Sequence, residues 1–192
     1  MAGIAFLACP ATATAHLVTT GMGPIYDGIG HLLLTPEDLV PALALALYAG
    51  MRGTQTGRHI TFLLPLAWFL GGVAGALVGH GGAFPIPAVS FLVLGGVVAA
   101  DLRMSTRAVS ILAVVIGLVH GFLNGAAAGE VAGILGLLGI AIVLFVLLAM
   151  GAALVLSLEK VWERVAIRVV GSWVFASGVL MVGWYFRGVL RP

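Results

Sequence analysis

Apolar runs of helical length alternate with short polar breaks from about residue 36 to residue 186. A transmembrane helix needs about 20 mostly apolar residues, so each long run predicts one membrane-spanning helix. The runs and the charges between them place the predicted spans at 36–51, 60–79, 87–102, 108–126, 131–158 and 169–186. The pattern predicts an all-α membrane protein, a bundle of about six transmembrane helices preceded by an apolar N-terminal segment.

The composition supports this class, because 61% of the 192 residues are hydrophobic and only 8% are charged, against about 25% charged in soluble domains. So short a chain is nearly all membrane, and residues 16–192 are expected to form one transmembrane domain whose main partner is the lipid bilayer. No nucleic-acid partner is expected. The single cysteine, Cys9, excludes an internal disulfide and a CxxC site. The only lysine, Lys160, is not part of a Walker A loop.

Residues 1–15, "MAGIAFLACPATATA", have two interpretations. A short apolar run followed by Ala13-Thr14-Ala15 is the pattern of a signal peptide cleaved before His16. The segment lacks the basic residues that open such peptides, which favours an uncleaved apolar segment packed on the bundle. The sequence leaves both open.

The basic residues predict the orientation of the bundle. Three loops, 52–59, 103–107 and 158–168, contain seven of the nine lysines and arginines, and the alternate loops 80–87 and 126–131 contain none. By the positive-inside rule the basic loops are cytoplasmic. The chain is therefore expected to be a multi-pass protein of the bacterial inner membrane, with segment 23–39 on the outer face. At the inner boundary, Asp101 is expected to pair with Arg103.

Glycines recur every four residues in the second predicted span and from the fourth into the fifth. Such a stripe allows helix backbones to approach closely, so glycine-rich helix packing is predicted. The glycines of the two stripes are Gly71, Gly75, Gly79, Gly117, Gly121, Gly125, Gly129 and Gly133.

Segment 23–39, "GPIYDGIGHLLLTPEDL", is unusually polar for this chain. Part of that polarity fits the start of a helix: Thr35 is a good N-cap, Pro36 suits the first helical position, and Glu37 and Asp38 complement the helix dipole. Capping explains these two acids as well as ligation does, but it does not explain the remaining polar side chains.

Asp27 and His31 lie four residues apart in the same segment. His120, with Asn124 on the same helical face, lies about thirteen residues beyond Arg107, which places it in the outer half of the membrane. His120 is either a hydrogen-bonded core residue or a ligand. Imidazole and carboxylate without thiolate suit a divalent first-row metal. The candidate metal ligands are Asp27, His31, Glu37, Asp38 and His120.

Two of these stretches resemble the HupE/UreJ membrane proteins. "HLLLTPEDLVPALALALYAG" (31–50) is similar to the family signature HPxxGxDH and the apolar helix that follows it. His31 matches its first histidine, Glu37 stands at its aspartate and Asp38 at its second histidine. "HGFLNG" (120–125) resembles a second motif of the family, a His-Gly pair, at His120 and Gly121.

The resemblance implies metal import, since these proteins accompany nickel hydrogenases and ureases and are regarded as nickel permeases. Nickel is the first expectation. Aspartate in place of the second signature histidine favours cobalt, nickel, iron or manganese over copper, and zinc and copper stay open. The membrane potential, a proton gradient or an intracellular metal sink would drive uptake without ATP. The alternative is a membrane metallochaperone or an assembly partner in metalloenzyme maturation. An enzyme is not expected, because HExxH and GxSxG are absent.

Overall fold

The computed structural model describes residues 20–79 and 85–189, with the backbone alone at 128–132 and 188–189. Within these ranges every regular element is an α-helix, which confirms the predicted all-α class. The helices are α1 (Pro24–Leu34), α2 (Pro36–Met51), α3 (Thr54–Val78), α4 (Ile86–Ala99), α5 (Thr106–Leu156) and α6 (Val161–Val189). The predictions for residues 1–15, including Cys9, lie outside the described residues.

Helices occupy all six predicted spans, but they differ in length. Four described segments are long and apolar enough to cross a membrane, or five if α1 and α2 form one bent span. The chain bends by 77° between these two helices. Helix α2 starts where the sequence predicts, with Pro36 in its first turn. Helix α4 has only 14 residues. Its length of about 21 Å is less than the roughly 30 Å of a bilayer's hydrocarbon core.

Helix α5 consists of two arms, Thr106–Ala127 and Gly133–Leu156. The first arm runs parallel to α3, because Gly71 lies against Leu118 and Gly75 against Phe122. The second arm runs antiparallel to α3, because Phe62 contacts Phe145 whereas Gly72, further along α3, lies against Leu137. The chain therefore reverses between the arms, and Gly133 there has a φ of 52°. Both arms pack along the length of α3.

Glycines permit the close packing of α3 on the first arm of α5. A Cβ added at Gly71, Gly75, Gly121 or Gly125 would overlap a backbone carbonyl oxygen of the facing helix. The predicted role in helix packing is therefore confirmed at these four positions. Two other glycines of the stripes differ: Gly79 and Gly133 have nothing within 4 Å of an added Cβ and have φ of 71° and 52°. These two positions use the conformational freedom of glycine at helix ends and turns.

The ends of α2, α4 and α5 meet at the end of the bundle that carries the basic loops, here called the basic end. Arg52, the C-cap of α2, forms an ion pair with Asp101 and donates a hydrogen bond to the carbonyl oxygen of Leu102. The Tyr48 hydroxyl donates to the same carbonyl. The predicted pairing of Asp101 with Arg103 is wrong. Asp101 has a φ of 49°, and the turn that it makes after α4 directs its carboxylate to α2.

Candidate functional site

The bend between α1 and α2 brings two polar residues of segment 23–39 together. His31 lies in the last turn of α1, and Asp38 lies in the first turn of α2. Helix α1 is regular in spite of its two glycines. Gly28 lets it pack directly against the backbone of Gly136 on the second arm of α5. His31 and Asp38 therefore lie on adjacent helix ends that face α5.

A buried carboxylate and a buried imidazole form the centre of the site. Nδ1 of His120 donates to Oδ1 of Asp38 over 2.7 Å. The Asp38 residue is 6% exposed and His120 is fully buried. A carboxylate in such a place is expensive unless hydrogen bonds compensate for lost water, and the donors around Asp38 supply that compensation.

Asn124 connects the second imidazole to this centre. Its Nδ2 donates to Oδ2 of Asp38 and to the carbonyl oxygen of His120, each over 2.9 Å. Its Oδ1 accepts a hydrogen bond of 2.8 Å from Nε2 of His31. The same Nε2 lies 3.9 Å from Oδ2 of Asp38. Both imidazoles thus face one carboxylate, and His31, with a side chain 16% exposed, is its more accessible neighbour.

Two residues of other helices complete the surroundings of His120. Nε2 of His120 lies 2.8 Å from Oγ of Ser90 on α4. Because Nδ1 donates to a carboxylate, Nε2 of the neutral ring accepts this hydrogen bond and the Ser90 hydroxyl donates it. The rings of Trp68 on α3 and His120 lie 5.2 Å apart, tilted by 34°. His120 is therefore hydrogen-bonded through both ring nitrogens, and its ring packs against the indole of Trp68.

The cluster of His31, Asp38, Ser90, His120 and Asn124 is called the polar cluster below. Its depth follows from two helices, α2 and α5. Asp38 precedes Arg52 by about fourteen residues, and His120 follows Thr106 by about fourteen. Each of these two helices therefore places the polar cluster roughly 21 Å from the basic end. The orientation that the sequence predicts, with the basic end cytoplasmic, would place the polar cluster in the outer half of the membrane.

The structure places the other two predicted ligands elsewhere. Asp27 accepts hydrogen bonds from the backbone and hydroxyl of Thr20. Glu37 is exposed in the first turn of α2, where its charge complements the helix dipole. Thr35 occupies the N-cap position but its side chain makes no capping hydrogen bond. Neither Asp27 nor Glu37 contacts the polar cluster.

Sequence reasoning missed Ser90 and Trp68. A signal was present for Ser90, since it is the only hydroxyl-bearing residue in "IPAVSFLVLGGVVA", the sequence of α4. A polar residue within an apolar span has a partner inside the bundle. Trp68 has no comparable signal, because a tryptophan in a transmembrane helix is ordinary. Its indole Nε1 is buried and, among the described residues, has no hydrogen-bond partner.

Comparison with protein families supplies the deciding observation. The family described as HupE / UreJ protein matches residues 4–181, which is most of the chain. The chain belongs to the HupE/UreJ family. This family is associated with nickel or cobalt transport or with accessory functions. Comparison with curated proteins and with solved structures gives no match.

In this HupE/UreJ protein the two predicted histidines and one predicted carboxylate converge. Hydrogen bonds already occupy the atoms that face one another, which are Nε2 of His31, Nδ1 of His120 and both carboxylate oxygens of Asp38. Among the described residues, no group of three or more His, Cys, Asp or Glu side chains has the arrangement of a metal site. Two ligand atoms that each lie about 2.0–2.1 Å from one ion are roughly 3 to 4 Å apart. The 3.9 Å between Nε2 of His31 and Oδ2 of Asp38 falls in that range, but the 2.7 Å between Nδ1 of His120 and Oδ1 of Asp38 is the length of a direct hydrogen bond. Binding an ion here requires these side chains to exchange partners.

Hydrogen bonds join Ser90 to His120 and His120 to Asp38, in the order of an Asp-His-Ser catalytic triad. A hydrolase of this kind needs its serine exposed to substrate and donors for an oxyanion. Ser90 is 4% exposed and His120 fully buried, so a substrate carbonyl has no approach to the serine in this conformation. HupE/UreJ proteins are accessory or transport proteins, and the chain of hydrogen bonds is sufficient to orient His120.

Proposed function

We propose that this HupE/UreJ protein binds a divalent first-row transition-metal ion at His31, Asp38 and His120 and carries it into the cell. Nickel is the first candidate. The observation that supports this proposal is the convergence of two imidazoles on one buried carboxylate. The Asp38 carboxylate lies 2.7 Å from Nδ1 of His120 and 3.9 Å from Nε2 of His31. Imidazole and carboxylate are donors that suit nickel, cobalt, iron and manganese.

His31 is the side chain through which an ion reaches the polar cluster, because it is more exposed than Asp38 or His120. Its Nε2 now donates to Asn124. A nitrogen that binds a metal must be free of its proton, so metal binding through Nε2, the nitrogen that faces Asp38, requires a change of tautomer or the release of a proton. In the same way, His120 must exchange its hydrogen bond with Asp38 for a bond to the ion.

The membrane potential is sufficient to drive inward movement of the ion. Two positive charges that move inward across 100 mV gain roughly 4 to 5 kcal/mol. The proposal therefore needs no ATP-binding site.

Nickel uptake into proteoliposomes that contain only this protein tests the proposal. An indicator dye inside the vesicles would report nickel that enters under an imposed inside-negative potential. We expect uptake by the parent protein and by Glu37→Gln, and a loss of uptake in Asp38→Asn. These two variants make the same carboxylate-to-amide change at neighbouring positions, one exposed and one in the polar cluster. Equal uptake in both variants would contradict a role for Asp38.

A second candidate function, a metallochaperone or assembly partner that binds but does not transport, has a specific observation in its favour. Between Asp38 and the basic end, α2 presents buried apolar side chains, and its end is fastened by the Arg52–Asp101 ion pair. The buried hydrophobic residues of this stretch are Ala42, Ala44, Leu45, Ala46, Tyr48, Ala49 and Met51. Nickel binding by the purified protein without nickel entry into vesicles would select this function over transport.

A further inference from the structure

Two cavities lie side by side at the basic end, outside the polar cluster. Their volumes are about 660 and 870 Å³. Gln55, His59 and Leu63 of α3 line both of them, so the cavities adjoin along one face of α3. Among the residues that the structure describes, no aspartate or glutamate lines either cavity. The two spaces form one groove with arginine side chains on a largely apolar wall, called the basic groove below.

The basic groove contains two arginines without acidic partners. Arg58 lines its first cavity and Arg107 its second. Both are exposed, and of the carboxylates that the structure describes, none forms an ion pair with either one. Arg52 on the neighbouring helix end differs, because it pairs with Asp101. The positive charge of the groove is therefore available to an anion.

The backbone adds to this charge, because α3 and the first arm of α5 both begin at the groove and run in the same direction. Oγ1 of Thr56 and Oγ1 of Thr106 lie 2.9 Å apart and hold the two helix starts together. The N–H groups of a first helical turn, with the helix dipole, favour an anion. At the start of α5 the Ser105 hydroxyl already accepts from the N–H of Ala108, so this turn offers only its remaining N–H groups. Two adjacent helix starts thus reinforce the two arginines.

A buried hydroxyl gives independent support for a bound ligand. Oγ of Ser110, which lines the second cavity, is buried and has no hydrogen-bond partner among the described residues. Buried polar atoms in native structures are nearly always hydrogen-bonded. The Ser110 hydroxyl is therefore a free donor for an acceptor in the groove.

An apolar crevice lies beside the groove. Phe62 lines the first cavity and also a crevice of about 300 Å³ between α3 and the second arm of α5. Pro65, Ile142 and Phe145 line the crevice further from the basic end. A basic cavity beside an apolar crevice matches an amphiphile better than a soluble anion.

We propose that the basic groove binds the phosphate head group of an anionic phospholipid, with one acyl chain in the crevice beside Phe62. Basic pockets between transmembrane helices on the cytoplasmic side are suited to such head groups. Arg58 and Arg107 supply charge, the helix starts and Ser110 supply donors, and the crevice supplies the apolar surface. The proposal concerns a site separate from the polar cluster and does not depend on metal transport.

Native mass spectrometry of the detergent-purified protein with added phosphatidylglycerol tests the proposal, with phosphatidylcholine as the uncharged comparison. We expect retention of phosphatidylglycerol by the parent protein and about tenfold weaker retention after Arg58→Gln with Arg107→Gln. The matched control is Lys160→Gln with Arg164→Gln, which removes the same charge at two exposed positions that do not line the groove. Equal loss in both double variants would overturn the site in favour of general surface charge.

Two further measurements separate the lipid from a soluble phosphate. Inorganic phosphate at millimolar concentration is expected not to displace phosphatidylglycerol, and Ala141→Leu, which reduces the space of the crevice, is expected to weaken lipid retention. Displacement by inorganic phosphate, with full retention in Ala141→Leu, would overturn the lipid proposal in favour of a soluble anion. Melting curves of all variants establish that each remains folded, so loss of retention is assigned to the site itself.

Discussion

Asp38 on α2 accepts a hydrogen bond of 2.7 Å from His120 on α5, a residue 82 positions further along the chain. The bond joins a helix start to the middle of a transmembrane arm. This hydrogen bond distinguishes Asp38 from its neighbour Glu37. Glu37 has the same charge, but among the described residues it forms no hydrogen bond or ion pair with the polar cluster. Most of the expected effects of substitution in this protein follow from that difference.

Substitution of Asp38 is expected to abolish metal binding where substitution of Glu37 does not. Asp38→Asn removes the charge on which both imidazoles converge, and an amide is a poor ligand for a divalent ion. We expect nickel affinity, measured by titration calorimetry, to fall at least about tenfold, or about 1.4 kcal/mol. Glu37→Gln should bind as the parent does, because its side chain is exposed. A similar loss in both variants would indicate that the acids act through overall charge.

His31 and His120 are expected to differ in their effect on stability. His31→Ala removes a partly exposed ring with one hydrogen bond, so the protein should keep its melting temperature and lose metal binding. His120→Ala leaves a cavity and strips partners from buried Asp38 and Ser90, which should lower the free energy of unfolding by about 2–5 kcal/mol.

His59→Ala is the control for both variants, since this histidine is exposed at the basic end. Unchanged nickel affinity in both His31→Ala and His120→Ala would rule out a shared site. Loss of folded protein in His120→Ala alone, with normal binding in His31→Ala, would favour a purely structural histidine.

A methyl group at Gly121 is expected to force α3 and α5 apart. An added Cβ there would overlap the carbonyl oxygen of Trp68, and overpacking of this kind costs about 1–3 kcal/mol. Gly183→Ala is the matched control, because an added Cβ on α6 meets nothing within 4 Å. A thermal melt in detergent should show a lower melting temperature for Gly121→Ala only. Equal melting temperatures would mean that the helices adjust without cost.

The predicted orientation is testable with single cysteines in a Cys9→Ala background. Met22→Cys lies before α1 and Gln55→Cys in the first turn of α3, and both positions are exposed. In intact cells an impermeant maleimide should label the first and should reach the second only after permeabilisation. The reverse pattern would place the polar cluster near the cytoplasm and exclude uptake from outside through His31.

The helices were predictable because long apolar runs and helix-start residues are local signals. Pro36 in the first turn of α2 and the glycines that pack α3 on α5 followed from the sequence. The different roles of Glu37 and Asp38 did not follow from the sequence. Adjacent residues on a helix point about 100° apart, so Glu37 and Asp38 cannot both face the bundle, and the sequence does not indicate which one does.

Partners that are distant in sequence were also beyond sequence reasoning. Asp101 was assigned to Arg103, its near neighbour, but the positive φ of Asp101 directs its carboxylate to Arg52 on α2. Ser90 meets His120 only because α4 packs at the level of the polar cluster. Each of these contacts depends on how helices are placed in space, and periodicity within one helix carries no information about that placement.

Helix α2 is fastened at both ends, by Asp38 to α5 and by Tyr48 and Arg52 to the turn after α4. Pro41 lies between these two attachments and interrupts the backbone hydrogen bonds of α2. A displacement of Asp38 away from His120 would therefore either bend α2 at Pro41 or pull on the contacts of Tyr48 and Arg52, about three to four turns away. Helix α2 thus couples the two ends of the bundle mechanically and contains one point of flexure.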